Sequence, residues 1–137
     1  MSATGGDILE ITYNHEDFGS GAIFCKTNED GTVDYGGYRS NDDANMISGD
    51  GQMIDQINRV RWSFEAPPII WDMTDADEVD QLVKMAASPK LGDWTINHIS
   101  GKIWGGKGKP VGDIQGTTNA ANVTLKLAGP NKLKSLS

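Results

Sequence analysis

The chain has 137 residues, enough for one domain and too few for two independent cores. Hydrophobic residues make up 37% and glycine contributes 17 positions, a lean, turn-rich composition that suits strands better than a helix bundle. With 19 acidic against 12 basic residues the net charge is −7, which disfavours general nucleic-acid binding, because that affinity comes largely from Lys and Arg neutralising phosphates.

The charge is uneven. Residues 1–80 hold most of the acids, while 101–137 is net basic (Lys102, Lys107, Lys109, Lys126, Lys132 and Lys134 against Asp113), a distribution that reads as a solvated face. The single cysteine, Cys25, excludes an internal disulfide. No apolar run approaches the roughly 20 residues of a membrane helix. The segment Met1–Asp7 has neither the basic nor the apolar region of a signal peptide. The expectation is a soluble protein made in a cytoplasm, with no membrane partner.

In chain order, residues 8–13 are rich in β-branched side chains and predict a first strand. Residues 21–26 predict a second, the turn sequence Asn28–Gly31 follows, and 33–35 alternate as a partner, so 21–38 reads as a hairpin. Residues 39–52 form a long polar, acidic loop with Met46 and Ile47 in its middle. Loops of this length inside a compact domain usually have a function, and two apolar residues in a polar loop point to docking on a partner. Over 53–65, Met53, Ile57, Val60 and Phe64 match a helical period, but Val60, Trp62 and Phe64 alternate. The aromatic end abuts Pro67 and Pro68, and no cap precedes it, so strand is favoured, with a further short strand at 69–71.

One helix is predicted over about 75–87. Thr74 is its N-cap, Asp75, Asp77 and Glu78 offset the helix dipole, and Val79, Leu82, Val83 and Ala86 form the apolar stripe. Strands at 94–99 and 103–104 follow, then a glycine-lysine loop at 105–109, a strand at 111–115, a turn beginning at Gly116, and an alternating strand at 123–127. The sum is a mainly β fold: a β-barrel or sandwich of about eight strands with one flanking helix and the long polar loop at about 39–52, in one domain over 1–137.

No catalytic set emerges, and the chain reads as no enzyme, with no cofactor and no metal. Gly101–Gly108 nearly matches the phosphate loop G-x-x-x-x-G-K-[ST], but Gly108 stands where the magnesium-binding hydroxyl belongs, and no helix follows. The acids Asp72, Asp75, Asp77, Glu78 and Asp80 cluster at a helix start, where they are stabilising without any metal. His15 and His98 belong to no zinc pattern, and Cys25 beside Phe24 reads as an inert strand cysteine. Four tryptophans, Trp62, Trp71, Trp94 and Trp104, offer an alternative: a monomeric β-barrel module binding a small ligand or carbohydrate. Aromatics at alternating strand positions are more often core.

The stretch 105–129 carries a Gly-rich turn, a Val-Gly-Asp strand at 111–113, a Thr/Asn turn at 117–119 and the alternating strand at 123–127. This pattern resembles the closing strands of bacteriophage tail tube proteins, and the chain length, single helix and long polar loop are similar to that family too. The resemblance implies a structural subunit of the virion tail, assembled in the host cytoplasm. Six copies would form a ring, and stacked rings a hollow conduit for genome ejection. DNA would pass through the lumen without specific binding. Tail sheath and baseplate or terminator proteins would be partners in a contractile tail. The tubes of contractile injection and type VI secretion machines share that fold, and the resemblance extends to them. The candidate contacts between rings are Asn41, Asp42, Asp43, Asn45, Met46 and Ile47, with the N-terminal segment 1–8 as a second candidate.

Overall fold

Strand β1 (Ile8–His15) alternates Ile11, Tyr13 and His15 toward the interior, the period-2 pattern of a sheet with one face buried. The structure is a computed structural model and describes residues 4–40, 46–71 and 77–136. β1 lies between β2 (Gly19–Phe24) and β10 (Gly92–His98), both antiparallel to it. β11 (Ile103–Pro110) pairs with β10 over Gly92–Asn97 and then with β14 (Lys126–Gly129). β8 (Trp62–Glu65) and β3 (Thr32–Asp34) complete the row, and β15 (Lys134–Ser135) pairs with β11. The result is an open antiparallel sheet of eight strands. The fold is mainly β with one helix among the described residues, and of the two expected forms the closed barrel is not realised, because the sheet does not close.

A smaller sheet continues the wrap. β9 (Ile69–Ile70), β13 (Asn122–Val123) and β12 (Gly116–Thr117) form three strands, and a single bridge, Cys25↔Ile69, links them to the end of β2. β8 and β9 are two parts of one bent strand, as are β13 and β14. Their registers differ by one residue, Glu65 facing Lys126 but Ile69 facing Val123. The slip falls at Pro67 and Pro68, which have no N–H to give to a ladder. Val123, Leu125 and Leu127 are nevertheless all buried, as their alternation predicts.

Four expectations change. The hairpin over 21–38 does not form: β2 pairs with β1 across the short turn at 16–18, which costs less closure entropy, and β3 pairs with β8. The loop at 105–109 is the interior of β11. Its glycines admit the Trp62 indole, which donates to the Lys107 carbonyl at 2.9 Å, while Trp94 donates to the Gly108 carbonyl at 2.9 Å. A Cβ on Gly108 would stand 2.5 Å from the Ala128 oxygen and 2.6 Å from the Trp62 ring. Glycine is there for close approach, not for flexibility. Residues 111–115 are not a strand: Gly112 takes a positive φ of 71° and turns the chain, and pairing resumes at β12, where a turn was expected. The stretch 39–52 is not one loop, because Arg39 and Ser40 close β4 (Gly37–Ser40) and Met46–Ile47 form β5.

Helix α1 (Asp77–Ala87) buries Leu82 and Met85 and half-buries Val79. Val83, expected in the apolar stripe, is exposed, because Met85 at Leu82 + 3 turns the buried stripe the other way. Asp72, Thr74 and Asp75 lie outside the described residues. The core joins Leu82 and Met85 to Trp62, Phe64, Trp94 and Ile96 on the covered side of the large sheet.

Candidate assembly interface

Between β3 and β8 the described residues form a ribbon of two successive antiparallel pairs. β4 pairs with β7 (Ile57–Val60) from Gly37↔Val60 to Ser40↔Ile57, and β5 pairs with β6 (Met53–Ile54) at Met46↔Ile54 and Ile47↔Met53. A tight turn closes the tip, where the Ser48 amide donates to the Gln52 carbonyl at 2.7 Å and the Gly51 amide to the Ser48 carbonyl at 2.9 Å. Directly opposed residues share a face and neighbours alternate, so Met46 and Ile54 lie on one face of the ribbon and Ile47 and Met53 on the other. All four are more than half exposed, Ile47 reaching 76%. Tyr38 and Ile57 extend the exposed apolar surface toward the body. A two-stranded ribbon is at best marginal in water by itself, and one that is apolar on both faces is a liability in an isolated molecule.

Of the six residues singled out from sequence, Met46 and Ile47 stand on this ribbon, fully available for contact. Asn41, Asp42, Asp43 and Asn45 lie outside the described residues. Sequence reasoning missed the second half of the surface, Met53, Ile54 and Ile57, because it assigned them to the next strand; the signal was their apolar character facing Met46 and Ile47 across a Gly-Asp-Gly turn. Of the N-terminal candidate 1–8, residues 1–3 lie outside the described residues, and Asp7 and Ile8 are held against their own domain. The Ile99 amide donates to the Asp7 carbonyl at 3.0 Å, the Asn28 amide to Asp7 Oδ1 at 2.8 Å, and Ile8 is buried.

At the root of the ribbon, Tyr38, Arg59, Val60, Arg61 and Lys132 line a cleft of about 620 Å³. Gly36 makes the junction: its φ is 70°, and a Cβ there would stand 2.4 Å from the Trp62 nitrogen. Arg59 lies over the Tyr38 ring, 5.6 Å from its centroid, and donates to the Tyr38 hydroxyl at 3.2 Å, which keeps its guanidinium firmly protonated. Just outside the cleft Arg39 pairs with Asp34, and that hydrogen bond holds the Asp34 carboxyl below its usual range. At the tip, Asp50 accepts from the Ser48 hydroxyl and the Gln52 amide, which likewise favours its charged form.

The other sequence candidates go to structural roles. His15 is buried; its Nδ1 accepts from the Asp17 amide at 3.1 Å, which leaves Nε2 as the donor toward the Lys90 carbonyl. Burial pushes the Cys25 thiol up to about 11, so a thiolate is disfavoured at neutral pH. Among the described residues no three His, Cys, Asp or Glu side chains gather as metal ligands. Trp62 and Trp94 are core residues, Trp71 packs half-buried against that core, and Trp104 is half-buried and donates to the Tyr35 hydroxyl at 2.7 Å. The tryptophans therefore do not converge on an open aromatic cleft. No protein-family model matches the chain, and no curated protein matches it significantly.

Proposed function

We propose that this chain is a non-enzymatic structural subunit that works by self-assembly, as the tube protein of a phage tail or of a similar injection machine. The observation that carries the reading is the ribbon at 46–54, apolar on both faces and uncovered. Such a surface is stable in solution once a neighbour covers it. The large sheet ends in two strands, β2 and β3; the outer edge of β3, and that part of β2 ahead of the Cys25 bridge to Ile69, are suited to lateral pairing when copies close into a ring. Six copies per ring, with the ribbon reaching the next ring, make a hollow conduit. The acidic balance of the chain keeps a passing DNA from sticking. In a contractile tail the sheath and the baseplate or terminator proteins are its partners, and the virion tail is its place. The burial of Trp62 and Trp94 weighs against the carbohydrate-module reading.

Negative-stain electron microscopy with light scattering over a range of concentrations tests this reading. Rings or hollow tubes are expected, and a chain that stays monomeric throughout overturns it. Deleting residues 41–50 is expected to leave the domain folded by circular dichroism while abolishing long assemblies. Normal tubes from that deletion would remove the ribbon from the interface.

A further inference from the structure

The ribbon has opposite chemistry at its two ends. Between Arg39 and Arg59 the sequence carries four aspartates and no Lys or Arg, and of these Asp50 and Asp55 stand exposed beside the apolar tip. At the root, Arg59, Arg61 and Lys132 line the cleft with Tyr38 and Val60, and among the described residues no carboxylate lines it. Among the described residues none of these three cations pairs with an acid, Asp50 accepts from Ser48 and Gln52, and Asp55 accepts from Ser40. Asp50 lies ten residues from Val60 along the ribbon, and neither Asp50 nor Asp55 lines the cleft of its own chain.

We infer that the root cleft is the receptor for the tip of a second copy, with Asp50 and Asp55 set against Arg59, Arg61 and Lys132, and Met46, Ile47, Met53 and Ile54 packed toward Tyr38 and Val60. This rests on the self-assembly reading and adds the surface that receives the ribbon. The occupant is a second copy because the two surfaces match in both respects, acid with base and apolar with apolar, and both belong to this chain. Tip and root are different patches, so the contact is heterologous: every copy offers one of each, and the interaction propagates without closing on itself. The cations contribute partner choice and register, while the apolar residues supply most of the buried area. Arg59 is already stacked on Tyr38, which orders the cleft before the partner arrives.

Complementary charge reversal in the full-length chain tests this. The Asp50→Lys, Asp55→Lys double variant has a reversed tip, and Arg61→Glu, Lys132→Glu has a reversed root; all four residues are exposed, and circular dichroism checks the fold. In sedimentation velocity each variant alone is expected to lose at least about tenfold in association, since like charges face each other. An equimolar mixture is expected to recover it, because both resulting contacts are again complementary. The wild-type chain supplies a measurement that needs no substitution: its association weakens as salt is raised, whereas a purely apolar contact does not. Stacked rings formed by both variants alone, or a mixture that fails to recover while the wild type assembles, overturns the receptor and leaves the tube reading standing. Salt-sensitive, charge-rescued association that never yields rings upholds the receptor and overturns the tube. A wild-type chain monomeric at every concentration overturns both.

Discussion

The body around Trp62 and the ribbon built from β4, β5, β6 and β7 are both antiparallel β structure, yet they place their large side chains in opposite ways. In the body the central strands of the large sheet have one face covered, and Trp62, Phe64, Trp94 and Ile96 are all but removed from solvent. Glycines at 106, 108 and 129 are given up to the Trp62 indole; a Cβ on Gly129 would stand 1.8 Å from the Lys107 oxygen. The ribbon has two strands and no covering layer, and its Met and Ile side chains face water on both sides. Apolar residues in the body are stabilised within one copy, whereas those of the ribbon are left exposed by their own chain and, on the self-assembly we propose, gain their burial from another.

Truncating the body is expected to have the largest effect. Trp62→Ala removes a fully buried indole and its hydrogen bond to Lys107, and a loss of about 3–5 kcal/mol in urea unfolding is expected. A loss under about 1 kcal/mol, within the range of ordinary surface substitutions, would break the contrast between the two regions.

Next comes alkaline sensitivity. The Cys25 thiol moves from 9.0 to about 11 on folding, so the unfolded chain releases its proton first. Its contribution to stability is complete below pH 9 and is lost as pH rises through about 11. Tyrosines and lysines titrate in the same range, so the check is a comparison of slopes: the melting midpoint of Cys25→Ala should fall less steeply over that window than that of the parent. Equal slopes would show that the thiol is not held in the apolar core.

The smallest effect on stability belongs to the ribbon. Ile47→Ser is expected to change unfolding free energy by less than about 0.5 kcal/mol, because the side chain is 76% exposed. The same substitution should sharply reduce assembly seen by light scattering. A large loss of stability in a monomeric sample would mean that the ribbon is part of the body after all.

Much of this was legible in the residues themselves. The strands at 8–13, 62–65 and 94–98 and the helix ending at Ala87 follow from alternation, a 3.6-residue period and stop signals, which are properties of the local chain. So do the burial of Val123, Leu125 and Leu127 and the availability of Met46 and Ile47. The errors fell where local chemistry has two uses. Glycine at 105–108 suits a loop and equally suits a strand against which an indole must lie, and only Trp62, more than forty positions away in sequence, decides between them. Met53 and Ile54 belong to a ribbon instead of a core strand because Met46 and Ile47 pair with them and nothing covers the result. The sequence alone thus determined the class of fold, the acidic balance and the alternating strands, since these depend on residues within a few positions of one another. Which strands pair, where the glycines are needed, and that tip acids and root bases occupy separate surfaces were decided by tertiary structure, because each depends on contacts between residues distant in the chain.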